Sequence, residues 1–372
     1  METCKHFKGD RPCKYYWVDR SKNCGQYTCL HYDSFDKRIL LIKLDALGDV
    51  VRSTALVEGL KNKYNNSQIT WLVAPEGEYF LKDNPFIDRI ITYNTETTRQ
   101  LQVEKFDILI NLDKDPKATS MAMLFNSKIK RGYGLSDEGY VIPLNDSTKH
   151  SYFSSLDNWG AKIKDPKSYQ ELIFDISEVE YNNEKPKIYL NDGGDFKNVF
   201  YKKYNIKKED KIIILNTGSS NRFQHRIWTK EGYRKLIKKL TKNPSYKIIL
   251  TGSKLEIDRN DYIAKDFNVI NTTNHYNLKE FVFLLQLADV IVTGETVAMH
   301  IGISLSKKMV GFWGSLPPQL VDFFGLGKKH YNKELKCLGC YGQFKCPYNA
   351  KCMTSITANE VYKSIEELLR IP

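Results

Sequence analysis

The chain has 372 residues, enough for two domains of ordinary size rather than one core. Hydrophobic residues at 41% and aromatics at 12% exclude a disordered chain, and no run reaches the roughly 18 apolar residues of a membrane span. A formal charge of +12 points to anionic partners, but the lysines of KKYNIKKEDK and KLIKKLTKNPSYK are interleaved as on a solvated face, and no zinc-finger, RNP or helix-turn-helix pattern is present, which sets nucleic acid aside.

In chain order, the first 36 residues hold Cys4, Cys13, Cys24 and Cys29 and lack the apolar core and cleavage site of a signal peptide, which predicts a cytoplasmic protein and is compatible with the inner membrane face. Short apolar runs follow, RILLIKL (Arg38–Leu44), QITWLVA (Gln68–Ala74), RIITY (Arg89–Tyr93) and FDILINLD (Phe106–Asp113), as expected of strands buried on both faces. A helical pattern covers Val50–Tyr64. INLDKDPKATSMAM and the run KIKRGYG (Lys128–Gly134) read as loops of the first half, and the polar stretch near Asn182–Pro186 reads as a linker.

The alternation then restarts with KIIILNTG, KIILTGS, DVIVTG and KMVGFWG, separated by helical segments. Strand and helix in alternation predict parallel βαβ units in two Rossmann-like domains, at 37–184 and 185–372. Cys337, Cys340, Cys346 and Cys352 precede a last helix, Ala358 to Arg370, whose start is signalled by the Thr357/Glu360 capping box.

In open α/β sheets ligands sit where strands end and helices begin. Two turns of the second half qualify. DVIVTGETVAMHIG places Glu295, Thr296, Val297 and Ala298 at a helix start whose backbone N–H groups suit a phosphate, with His300 one turn on; equally, Thr296 serves as an ordinary N-cap. NTGSSNRFQHRIWTKEGY gathers Asn216, Thr217, Gly218, Ser219, Ser220, Arg222, His225 and Arg226 before a helix, with Trp228 as an anchor. Guanidinium groups at a strand end fit oxygen-rich anions, and a solvated loop is the plain alternative. In the first half, LLIKLDALGDVVRST puts Asp45 and Asp49 at the same kind of junction, where a carboxylate is also stabilised by the helix dipole.

LLIKLDALGDVVRSTALVEGLK, RIWTKEGYRKLI and VIVTGETVAMHIGISLSKKMVGFWGS, in that order, resemble the motifs of the glycosyltransferase family 9 heptosyltransferases from about Arg38 to the C-terminus. The resemblance implies a GT-B fold with two Rossmann-like parallel-sheet domains facing a cleft, and inverting transfer of a heptose from an ADP-sugar to a surface glycan, lipid core or protein. It implies Asp49 as catalytic base, Arg226 at the donor phosphates, and Thr296 and Val297, followed by Ala298 and His300, at the diphosphate. Glu295, where the family has Asp, falls near the sugar hydroxyls, Glu256 falls on a ribose-binding Glu, and Thr217 and Gly218 join the nucleotide pocket. Val297 replaces the usual Gly. No divalent metal is needed for transfer on this reading, because the Asp-x-Asp letters at Asp113–Asp115 lie in the acceptor half.

The cysteines extend beyond this catalytic pattern. Cys-x2-Cys-x5-Cys-x5-Cys at Cys337, Cys340, Cys346 and Cys352 supplies four thiolates within sixteen residues, a structural Cys4 site for zinc or iron. A similar branch that modifies autotransporters carries a cysteine-ligated iron near its C-terminus, which favours iron. At Cys4, Cys13, Cys24 and Cys29 a second metal, two disulfides and free thiols stay open. Two other classes remain: a nucleotide-binding protein without catalysis, and a metal or redox sensor on the same scaffold. The sequence carries no signal for the acceptor or the oligomeric state.

Overall fold

The computed structural model describes residues 4–18, 29–156, 167–190, 194–219, 226–340 and 346–371; Cys24, Ser220, Arg222 and His225 lie outside them. The chain forms two compact units. The first comprises Met1–Ala46, Ser53–Phe153 and Gln170–Glu184, and the second comprises Leu47–Arg52, Ser154–Tyr169 and Lys185–Pro372. The short segment Leu47–Arg52 thus clusters with the second unit, although its sequence neighbours on both sides belong to the first.

The first unit is built on β1 (Lys37–Ile42), β2 (Ser67–Val73), β3 (Arg89–Thr92), β4 (Lys105–Asn111), β5 (Asn126–Leu135) and β6 (Val141–Pro143), in the order β3-β2-β1-β4-β5-β6. The neighbours are parallel except β6, which runs antiparallel to β5. Every residue of β2 and the last four of β1 are buried, which is why these strands read as unbroken apolar runs. KIKRGYG is not a loop but the middle of β5. Lys128 and Lys130 break the apolar pattern because the first half of this strand is largely exposed, and Arg131 breaks it as a buried guanidinium that donates to the Ser177 carbonyl at 2.9 Å and pairs with Glu178 at 2.7 Å.

The second sheet uses β7 (Lys211–Asn216), β8 (Tyr246–Thr251), β9 (Ile270–Asn271), β10 (Val290–Thr293), β11 (Lys308–Phe312) and β12 (Gly327–His330), ordered β12-β11-β10-β7-β8-β9 and wholly parallel. Counted from its own first strand, this is the order of the first sheet. In each, the strand order reverses between the first strand and the fourth, the switch point where open α/β sheets take ligands.

Amphipathic helices cover the second sheet. The helix Lys230–Leu240 buries Tyr233, Leu236, Ile237 and Leu240, and the final helix Ala358–Arg370 buries Val361, Ser364, Ile365 and Leu368, both at the 3.6-residue period. Trp228 joins them in the same core cluster with Phe312, its indole N–H donating to the Ile356 carbonyl at 3.1 Å. The final helix begins at the expected capping box: the Thr357 hydroxyl accepts from the Glu360 N–H at 3.2 Å, and the Glu360 carboxylate accepts from the Thr357 N–H at 2.9 Å. The segment expected as one helix, Val50–Tyr64, is two, Leu47–Ser53 and Ala55–Lys63, parted at Thr54.

Candidate active site

At the carboxyl end of the second sheet, β7 and β10 are paired so that Asn216 stands opposite Thr293. The Asn216 amide donates to Thr293 Oγ1 at 3.0 Å and to Thr296 Oγ1 at 3.1 Å, tying the two strand ends together. The Thr296 hydroxyl is thereby turned away from the usual capping role. Thr296 is the N-cap of the helix Val297–Ser304, yet its side chain makes no cap hydrogen bond. A helix start left uncapped by its own side chain, at a switch point, is a place for an anion.

Arg226 and Glu295 flank this turn, both buried. The Arg226 Nε–H donates to Ser315 Oγ at 2.7 Å and stands 3.9 Å from Glu295 Oε2. Neither Glu295 oxygen has a hydrogen-bond partner among the described residues. Burial raises the Glu295 carboxyl to about 8, against the opposing pull of Arg226, the Leu316 amide and Arg52.

Leu47–Arg52, all but the last residue of the helix Leu47–Ser53, belongs to the same unit. Asp49 in its first turn pairs with Arg52, Oδ1 to Nη2 at 2.7 Å, and the Arg52 guanidinium lies 3.4 Å from the centroid of the Tyr169 ring. Gly48 is needed here by space: a Cβ on it would come within 2.6 Å of the His300 ring. Burial and then the Arg52 charge push His300 down to about 3, so its imidazole is neutral at physiological pH, Asp49 acting in the opposite direction. Asp49, Arg52, Arg226, Glu295 and His300 therefore form one electrostatic group in the second unit. Arg52 and Ser315 were not singled out by sequence reasoning. The i,i+3 spacing of Arg52 from Asp49 was the available signal for the first; Ser315 had none.

The residues expected at a nucleotide lie around β7 and β8. Thr217 Oγ1 donates to Asn260 Oδ1, whose amide in turn donates to Thr273 Oγ1 at 2.7 Å. Glu256 sits in a capping box of its own, its Oε2 accepting from the Ser253 N–H at 2.8 Å and from the Ser253 hydroxyl at 2.7 Å. A Cβ on Gly218 would meet the Glu256 carboxyl carbon at 2.3 Å, so only glycine lets that turn close over the carboxylate. Val297 and Ala298 open the helix after Thr296.

In the first unit, the Asp113 carboxylate accepts from Lys43 Nζ and from the Leu44 N–H at 2.5 Å, while Asp115 caps the helix Pro116–Leu124. Both carboxylates of the Asp-Lys-Asp stretch are thus engaged with protein groups. Asp45 is exposed and pairs with Lys117 at 3.3 Å.

Among the described residues, seven cysteines are unbonded thiols and no group of three or more His, Cys, Asp or Glu side chains is arranged to hold a metal ion. The C-terminal thiols nonetheless sense one another. Burial first, then Cys340 and Cys346, push the Cys337 thiol up; burial, then Cys340, Cys346 and Cys337, push Cys352 up to about 11. The Ala350 N–H donates to Cys346 Sγ at 3.3 Å. The chemistry of four cysteine sulfurs in one short segment matches a soft cation.

These features have relatives. Residues 95–351 match the family model described as glycosyltransferase family 9 (heptosyltransferase). The chain belongs to glycosyltransferase family 9. This glycosyltransferase is 21% identical over 362 residues to lipopolysaccharide heptosyltransferase 1 of Campylobacter coli, covering 89% of this chain and 98% of that protein. It is 23% identical over 295 residues to the lipopolysaccharide core heptosyltransferase OpsX of Haemophilus influenzae, covering 74% of this chain and 79% of that protein. Among solved structures it resembles the family 9 glycosyltransferase of Veillonella parvula, with a TM-score of 0.72 at 18% identity over 90% of this chain and 97% of that one. It also resembles the E. coli ADP-heptose LPS heptosyltransferase II, at 0.65 and 18% identity over 89% and 98%. The iron-containing dodecameric glycosyltransferase TibC of E. coli matches at 0.55 and 14% identity, over 90% and 77%. The enzyme thus has the GT-B fold, two parallel-sheet domains of one strand order.

The buried Glu295 of this glycosyltransferase predicts a stability effect with a definite pH window. Between its ordinary value of 4.5 and about 8, the folded state keeps a proton that the unfolded chain releases, so its burial costs more stability as pH rises through that window. Glu295→Gln should stabilise the fold by roughly 1–3 kcal/mol near pH 8 and by little near pH 4.5, as read by urea unfolding. Equal gains at both pH values would contradict the assignment. No helix among the described residues is long and apolar enough to cross a membrane.

Proposed function

We propose that this glycosyltransferase moves a heptose or a closely related sugar, with inversion, from an ADP-activated donor to a surface glycan, lipid core or protein, and acts in the cytoplasm at the inner membrane face. The observation that carries the donor part is the side-chain-uncapped start of the helix Val297–Ser304, with Arg226 and Glu295 beside it at the switch point of the second sheet. The named activities of the relatives, lipopolysaccharide core heptosyl transfer among them, support the sugar and the lipopolysaccharide acceptor class.

In this reading the Thr296 turn amides and Arg226 take the diphosphate, and Thr217, Gly218 and Glu256 border the nucleoside. Asp49 accepts the acceptor hydroxyl proton as the new C1–O bond forms and the bond from C1 to the diphosphate breaks, with ADP leaving on the opposite face. Backbone amides and a guanidinium stabilise the departing charge without a divalent metal. Product analysis by mass spectrometry with a panel of nucleotide sugars and acceptors tests the assignment. Heptosylated product from the ADP-heptose arm is expected, and transfer only from a different nucleotide sugar would overturn it.

The same proposal assigns a structural zinc or iron, iron favoured by the likeness to TibC, to Cys337, Cys340, Cys346 and Cys352. A cation there would bind the four cysteines as thiolates, displacing their protons, and tie a segment of little apolar content to the core at Cys352, which packs against the cluster containing Met353 and Ile356. Cys340→Ser should lower bound metal and melting temperature together, with activity lost only as the fold is lost. Protein purified under reducing conditions without stoichiometric zinc or iron would refute the site. Cys4, Cys13, Cys24 and Cys29 are a candidate second set.

A further inference from the structure

Glu295 is a buried carboxyl that its neighbours hold only loosely. Its side chain is 3% exposed, neither oxygen meets hydrogen-bond geometry with a donor among the described residues although the Leu316 amide pulls on it, and the Arg226 Nε, 3.9 Å away, already donates to Ser315. The carboxyl stands one residue before the helix N-cap where the diphosphate is proposed to sit. An orphaned buried carboxyl beside an anion site meets a conflict when the anion arrives, because two negative groups cannot share a dry pocket at little cost.

We propose that Glu295 enters the donor complex as an uncharged carboxylic acid, and that binding of a nucleoside diphosphate is accompanied by uptake of a proton from solvent onto Glu295. The inference rests on the donor-site reading above. Charged and titratable neighbours come from each packed element: Arg226 from the segment ahead of Trp228, Asp49 and Arg52 from the helix Leu47–Ser53, and His300 from the helix that Glu295 precedes. His300 is neutral throughout the working range, so it neither supplies nor competes for the proton. Arg226, the Leu316 amide and Arg52 favour the ionised form of Glu295, and burial outweighs all three. A diphosphate on the Thr296 turn adds negative charge and draws the Arg226 charge to itself, so both changes favour the acid. As an acid, Glu295 also gains an O–H to donate to a donor oxygen, which a carboxylate lacks.

The test is calorimetric titration of the full chain with ADP between pH ~7 and ~9.5 in buffers of different ionisation enthalpy. ADP itself is fully ionised above pH ~8, as phosphate esters with a second pKa near ~6 are. The wild type should take up close to one proton per ADP bound in the upper part of the range, and its affinity should fall about tenfold per pH unit there. Glu295→Gln, which keeps size and a hydrogen-bond donor but cannot ionise, should bind with no such fall and no uptake. Wild-type binding without proton uptake, or uptake retained by Glu295→Gln, would overturn the proposal while leaving the donor site standing. If ADP fails to bind at any pH, or binds with an affinity that Arg226→Ala leaves unchanged, the donor-site reading falls and the proposal with it.

Discussion

Asp49→Asn is expected to lower turnover by about 10²–10⁴ while ADP affinity changes less than about threefold. Asn keeps the size of the side chain and much of its hydrogen bonding but cannot accept the proton of the acceptor hydroxyl. The carboxylate is paired with Arg52 at 2.7 Å, itself stacked over the Tyr169 ring, and its side chain is 35% exposed, which the proposed role requires. A charge at a helix start also serves the dipole, worth roughly 0.3–1 kcal/mol, so melting temperature is measured with the kinetics. Near-normal turnover with a small loss of stability would reduce Asp49 to that dipole role.

Arg226→Ala should weaken ADP binding by roughly 10- to 150-fold, the range of a lost charge-assisted contact of ~1.5–3 kcal/mol, and leave adenosine binding within about threefold. The contrast between the ligands isolates the phosphates. Arg226 also donates to Ser315 and is buried, so its loss has a structural component that both ligands would feel equally. Equal weakening of ADP and adenosine in paired titrations would assign Arg226 to the scaffold instead.

The C-terminal row of cysteines and the Thr296 turn were visible in the chain for different reasons. Spacing alone marks Cys337, Cys340, Cys346 and Cys352 as a set, because four soft donors in a short polar segment are rare without a purpose. The Thr296 turn was visible because a buried strand must end in small polar residues before a helix can start. Its ambiguity between cap and anion site was not resolvable from residue types, since Thr serves both. The side chain's bonds to Asn216 and Thr293 are what remove it from capping.

The parallel two-sheet architecture was written in the chain itself, because strands buried on both faces must be apolar throughout, and KIIIL, IVT and their like can be little else. The capping box at Thr357 and the buried stripe of the last helix were determined there too, since both depend on neighbours within one turn. Strand β5 escaped notice because exposure of its first half erases the periodic signal. Which strand ends adjoin was decided only by the tertiary structure: Asn216 and Thr293 are distant in sequence, and the sheet order that pairs β7 with β10 brings them together. The same holds for the group of Asp49, Arg52, Arg226, Glu295 and His300. Local sequence sets each residue's charge and helix position, but burial and approach depend on contacts between distant segments, and those alone turn Glu295 from a surface-type carboxylate into a buried acid.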